Sequence, residues 1–265
     1  MLSTALRSAG RATQNLLVDT ASVWRLAVTA ASRVFQGAFR GEAVRFRATI
    51  IQSVRAGNGS LPLVGLISFL VGIIMALQSA YQLGKLGALD LVANLVAISI
   101  TRELAPLLTA IIVAGRFGSA IAAELATMKV SQEIDALTVM GIDPISFLVV
   151  PRLAALMVTL PCLTIFSDVL GIVGGLAVAT GVLGIGMNGY IANTFDALVL
   201  KDILTGLVKS VAFAGIIGLI GCHQGLQTRG GAEEVGRATT AAVVRSIVLI
   251  ICADLFVTAF FYVRG

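Results

Sequence analysis

Long apolar stretches separated by short polar segments dominate the chain from residue 61 onward. Leu61–Tyr81 carries no charge, with Pro62 near its start and Gln78 near its end. Gln82–Asp90 is short and polar, and Leu91–Arg116 is apolar again apart from Arg102, Glu103 and Pro106. A third run extends from Ile145 to about Gly175, with Pro161 and Asp168 inside it. Asp202–Gly225 holds Lys209, and Ser246–Tyr262 holds Asp254. These runs approach or exceed the roughly 20 residues needed to cross a bilayer. The pattern predicts five transmembrane helices. Gly171–Gly186 stays apolar and glycine-rich, so a re-entrant turn or a sixth crossing is open there. Gly171 and Gly175 form a GxxxG pair that suits close helix packing.

One stretch between the second and third spans has another rhythm. In Ser119–Met140, Ile121, Leu125 and Met128 recur at offsets of four and three, and Val130, Ile134 and Leu137 continue on a shifted face. Glu124, Lys129, Glu133 and Asp135 fall mostly elsewhere. This predicts an amphipathic surface helix over about 119–140, in which Lys129 and Glu133 are close enough to pair weakly. Gly141 suits the position after the helix, and Asp143-Pro144 suits the cap and first residue of the next one. An ordinary interfacial helix and a docking element for a soluble partner fit equally. On the docking reading Glu124, Glu133 and Asp135 present charge, while Ile121, Leu125 and Leu137 make the apolar contact.

Residues 1–60 are of a third kind. Arg7, Arg11, Arg25, Arg33, Arg40, Arg45, Arg47 and Arg55 are opposed only by Asp19 and Glu42, and Trp24, Leu26, Val28, Val34, Phe35 and Phe39 are interleaved with them. No compact apolar core with a cleavage site follows the first arginines, so a signal peptide is not expected. The mixture predicts helix lying in the membrane interface. Gly57-Asn58-Gly59-Ser60 reads as a break before a five-span membrane domain over 61–265. The positive-inside rule puts the amino terminus and Gln227–Arg245 in the cytoplasm and Gly265 on the far side.

Composition settles the class. The chain is 57% hydrophobic and 12% charged, with mean hydropathy +0.97, whereas a soluble domain carries about 25% charged residues. The alternation of a transmembrane barrel is absent. A net charge of +5 does not point to nucleic acid, because the basic residues cluster beside the spans. Cys162, Cys222 and Cys252 are far apart in apolar runs and read as small core residues. His223 is the single histidine, which excludes a multi-histidine metal site. The phosphate-binding loop, the nucleophile elbow, HExxH and CxxC are all missing, so no catalytic residue is assigned and any ATP must be bound by another chain.

Arg102, Glu103, Asp168, Lys209 and Asp254 fall within or near spans. Each costs about 2.5 kcal/mol or more at the bilayer centre. Arg102 and Glu103 are neighbours that point apart on a helix, so their partners are expected on other spans, with Lys209 and Asp254 the candidates. Pro106 removes the amide that would bond the Arg102 carbonyl, which predicts a kink. An interhelical network that fixes the bundle and a polar patch facing a ligand headgroup are both open.

Arg102-Glu103-Leu104-Ala105-Pro106, Ala114-Gly115-Arg116, Ala123-Glu124 with Met128, Gly141-Ile142-Asp143-Pro144, Pro151-Arg152, Lys209-Ser210-Val211, Arg237-Ala238-Thr239-Thr240 and Asp254 together resemble MlaE-type permeases, the membrane subunits of MCE-associated ABC lipid transporters. The resemblance covers nearly the whole chain from about residue 50. It implies an all-α membrane protein with an ABC-exporter-like fold: an amino-terminal interfacial helix, five transmembrane helices, and a cytoplasmic coupling helix between spans 2 and 3. It implies a homodimer in the inner membrane of a Gram-negative bacterium, with the carboxyl terminus periplasmic. Two ATPase subunits, binding ATP and magnesium, would grip a coupling surface formed by Glu124, Met128, Glu133, Asp135, Gly141 and Asp143. A periplasmic MCE-domain ring and a STAS-domain protein on the ATPase would complete the complex. The cargo would be phospholipid, moved between inner and outer membranes to maintain outer-membrane asymmetry. Met75, Gln78, Tyr81 and Leu83 of the first span, with part of the fifth, are expected to line the lipid cavity. An ion-coupled secondary transporter and a non-transporting scaffold are the alternatives.

Overall fold

The computed structural model describes residues 21–30, 32, 33 and 43–264. Arg7, Arg11, Val34, Phe35, Phe39, Arg40 and Gly265, used in the readings above, lie outside the described residues. All regular structure among the described residues is helical. Helix α1 covers residues 21–30, α2 Ala43–Gly84, α3 Leu89–Val130, α4 Glu133–Val139, α5 Ile145–Gly181, α6 Met187–Ala197, α7 Leu200–Leu226 and α8 Ala232–Arg264. Five of these, α2, α3, α5, α7 and α8, are long and apolar enough to cross a membrane. Gly171–Gly186 makes no extra crossing: α5 runs unbroken to Gly181, and a turn then leads into the short α6. The side shared with α1 is called proximal below, and the side of α6 distal.

Three helices are longer than their apolar runs. With 42 residues, α2 spans about 63 Å and passes straight through Gly57–Ser60, where the sequence predicts a break. Packing overrides local propensity there: the site of a Cβ on Gly59 lies only 3.0 Å from the Arg116 guanidinium of α3. α8 likewise begins at Ala232, well before the expected start near Ser246.

The largest revision concerns Ser119–Met140. Ser119–Val130 is no separate surface helix but the last third of α3. Ile121 and Leu125 are fully buried in the main core with Phe213, Ile217 and Leu153, and are therefore not available to dock a partner. The helix stops at Ser131-Gln132, where Gln132 takes a left-handed φ of 63°. The short α4 follows, with Ile134 buried in the main core and Leu137 packed against it, and with Glu133, Asp135 and Val139 exposed. Because that break intervenes, Lys129 pairs with Asp135 at 2.7 Å instead of with Glu133.

The spans pack like with like. α2 lies along α5 in parallel, and α3 lies along α7 in parallel, while α8 packs on α7 and α3. Apolar residues gain little by leaving lipid for protein, so close backbone approach has to hold such pairs together. A Cβ on Gly72 would fall 1.9 Å from the Gly171 carbonyl oxygen. One turn earlier the Ser68 and Ser167 hydroxyls meet at 2.6 Å, 99 residues apart in sequence. The same spacing relates Leu61-Pro62 to Leu160-Pro161, Leu77 to Leu176 and Ala80 to Ala179. α2 and α5 thus read as a parallel internal repeat, packed in register.

Cys222 is buried as expected, but Cys162 and Cys252 face outward, where lipid is as apolar as a core. Helix α1 closes the proximal end. Leu26 and Ala30 enter the main core, Ser22 meets His223 of α7 at 2.7 Å, and Arg33 reaches Asp143 at 3.4 Å.

Candidate functional site: a charged cluster between three spans

Pro106 explains the local shape of α3. Lacking an amide hydrogen, it leaves a gap in the hydrogen-bond ladder, and Ile100–Leu104 forms a π turn in which the Ala105 amide bonds the Ile100 carbonyl. The wider turn carries Arg102 and Glu103 toward α7. Contact is close: a Cβ on Gly206 would lie 2.5 Å from the Thr101 carbonyl oxygen, so only glycine fits there.

Lys209 of α7 is fully buried. Its ammonium group donates to Glu103 of α3 and to the Thr258 hydroxyl of α8 at 2.7 Å. Asp254 Oδ1 is 2.8 Å from the same nitrogen, an ion contact off the line of a hydrogen bond. The Thr258 hydroxyl donates to Glu103 at 3.2 Å. One cation thus faces two carboxylates, a formal charge of −1 (1 − 2). The Glu103 side chain remains 35% exposed, whereas Asp254 is 16% exposed. The cluster lies nine residues into α7, about 14 Å from its distal end.

Arg102 does not join this cluster. It pairs instead with Asp202 at 3.7 Å, and Asp202 also accepts the Val199 amide that opens α7. Asp202 and Thr258 were not legible as site residues. Asp202 sits at a span end, where a carboxylate reads as a helix cap, and Thr258 is neutral. The available signal was spacing, since Thr258 is one turn beyond Asp254 on the same face of α8. Asp168 stands apart on α5, with Oδ1 buried and unpartnered.

The expected coupling residues separate into two groups. Glu124 is held by Arg152 at 2.9 Å and Arg55 at 3.5 Å, tying α3 to α5 and α2, and Met128 packs against the main core. Glu133 and Asp135 are exposed on α4, Glu133 accepting from Ser131 at 2.9 Å. Beyond them the chain bares an apolar tip: Val139 is 88% and Met140 65% exposed. Gly141 ends the turn with φ 76°. Asp143 then starts α5, accepting from the Ile145 amide at 3.3 Å and the Ser146 hydroxyl at 2.7 Å. Burial raises the Asp143 carboxyl, but the Ser146 hydroxyl, the Arg33 guanidinium and the Ile145 and Ser146 amides outweigh it and hold it below the usual carboxylate range.

The four expected lipid-lining residues do not share one surface. Gln78 and Tyr81 face outward near the distal end of α2, with the Lys85 ammonium 4.0 Å from the Tyr81 ring centroid. Met75 and Leu83 are half-buried against Ala76, Ala80 and Val96. Among the described residues no group of His, Cys, Asp or Glu is arranged to hold a metal ion.

A family model described as permease MlaE matches residues 49–260. A probable ABC transporter permease protein of Rickettsia typhi is 44% identical over 202 residues, 76% of this chain and 78% of the relative. Another from Synechocystis is 37% identical over 241 residues, covering 89% and 91%. The chloroplastic protein TRIGALACTOSYLDIACYLGLYCEROL 1 of Arabidopsis thaliana is 39% identical over 219 residues, covering 83% and 63%. The chain belongs to the MlaE permease family and is a multi-pass ABC transporter permease.

Proposed function

We propose that this chain is the permease subunit through which an ABC transporter moves phospholipid between the inner and outer membranes of a Gram-negative bacterium, maintaining outer-membrane asymmetry. The observation that carries the reading is the buried charge cluster. A cation and two carboxylates are sealed between three spans, and one carboxylate, Glu103, stays partly open toward the outside of the chain. Such a surface offers polar contact to a headgroup inside an otherwise apolar wall. A diacylglycerol-based lipid cargo is supported by the name of the Arabidopsis relative, which contains a galactosylated diacylglycerol.

In this reading the proximal side is cytoplasmic and the carboxyl terminus periplasmic. Two copies face each other, because α8 packs on α7 and α3 while α2 packs on α5. A cavity shared by the first and fifth spans therefore needs a second chain. The α4 tip, with Glu133 and Asp135 beside Val139 and Met140, docks the ATPase that binds ATP and magnesium. An MCE-domain ring stands on the distal side, and a STAS-domain protein binds the ATPase. Relatives named as ABC permeases speak against the ion-coupled and scaffold alternatives.

Photocrosslinkers at Gln78 and Tyr81 test the lipid path in cells. Both should capture phospholipid, whereas one at Leu63, on the proximal half of the same helix, should not. Equal capture at all three would mean annular lipid and would remove the distal cavity.

A further inference from the structure

A recess at the proximal end of α8 has no part in the site above. It has a volume of about 330 Å³ and lies between the last turn of α7 and the first half of α8. Arg229, Arg237 and Arg245 line it, with Gln224, Gln227 and a single acid, Glu234. The charged lining sums to +2 (3 − 1). Glu234 is engaged with Arg237 at 2.7 Å, and Arg229 makes no ion pair among the described residues. A second recess of about 650 Å³ shares Arg237 and Arg245, adds the exposed acid Glu233 at its outer end, and continues over Ala241 to Val244. Val244 and Val248, both exposed, extend this wall along α8.

Two features identify the occupant. Guanidinium groups suit phosphate oxygens, which accept their planar array of donors, and the glutamine amides add neutral donors. Arg245 is also the last charge before the apolar run that continues to Asp254, so the recess lies at the membrane boundary, where lipid phosphates lie. A free anion or an acidic peptide would leave the apolar wall at Ala241, Val244 and Val248 without a function. We infer that Arg229, Arg237 and Arg245 bind the phosphate of a lipid in the proximal leaflet, with an acyl chain lying along Val244 and Val248. The site is at the opposite end of the chain from Gln78 and Tyr81, and it does not depend on the proposed transport.

The test uses the full chain in a phosphate-free glucoside detergent, with Trp24→Phe removing the native tryptophan and Val248→Trp as reporter. Brominated phosphatidylglycerol and brominated diacylglycerol are titrated as quenchers. Phosphatidylglycerol should half-quench at about tenfold lower concentration, the worth of one charge-assisted hydrogen bond. A tryptophan at Leu66 on α2 should give equal values for both lipids. Arg229→Gln with Arg237→Gln should erase the preference, and the corresponding lysine pair should keep most of it. Equal quenching by the two lipids in the reporter protein with all three arginines in place overturns the inference without any arginine variant having to fold. A preference that survives the glutamine pair, or one abolished by millimolar inorganic phosphate, overturns it too, the latter by making a free anion the ligand.

Discussion

Lys209 carries the sharpest energetic prediction. Replacing it with methionine keeps most of the apolar stem but removes the charge, leaving Glu103 and Asp254 facing each other across a buried gap. Breaking a buried ion pair by removing one partner costs about 3–5 kcal/mol. The partial exposure of Glu103 places the expected loss toward the lower end, about 3 kcal/mol. The triple change Lys209→Met, Glu103→Gln and Asp254→Asn removes every charge and should recover most of that loss, because buried charges replaced together are often neutral in stability. Unfolding in mixed micelles, titrated with a denaturing detergent, measures both. If the triple variant is as unstable as the single one, mutual compensation is not what holds these residues. The same pair separates structure from function: a triple variant that is stable but fails to transport assigns the charges to the cargo path.

Three further outcomes follow from the packing and the tip of α4. Val139→Asp with Met140→Asp should cut ATPase co-purification more than tenfold while the permease stays folded, whereas Leu125→Asp should abolish folding; retained ATPase in the first would move the docking site. Gly72→Val should destabilise by about 3 kcal/mol by forcing α2 off α5, while Gly115→Ala, which has open space around it, should be silent in the same unfolding assay. Asp143 has a lowered folded pKa, so its stabilising contribution is present above the unfolded value of about 3.9 and is lost as pH falls through the folded one. Trp24 fluorescence should therefore report loosening of α1 only in strong acid, and Asp143→Asn should remove that step; an unchanged step would place its cause elsewhere.

The five crossings were legible because apolar runs of that length have no other stable environment. Their ends were not, because hydropathy measures lipid thickness, not helix length. Residues 46–60, 117–130 and 232–245 are helical beyond the apolar runs, held by contacts such as Gly59 on Arg116 that no local pattern encodes. Ile121 and Leu125 show the same limit: their spacing revealed an apolar face, but not that its partner is α7 of the same chain. The pairing of Glu103 with Lys209 followed from charge alone, since an ion inside a membrane needs a partner. Arg102 found Asp202 instead, which only the π turn before Pro106 could set. The exposed tip after α4 was not legible because Val139 and Met140 look in sequence like the end of a buried face.

The most direct test of the central claim is reconstitution of the chain with its ATPase in proteoliposomes, following removal of a labelled phospholipid to an external lipid acceptor. Transfer should require ATP and both proteins, and should fall to background in the triple variant of Lys209, Glu103 and Asp254. Transfer driven by an ion gradient with this chain alone, or ATP-dependent transfer undiminished in the triple variant, would contradict the assignment of this cluster to an ATP-driven lipid path.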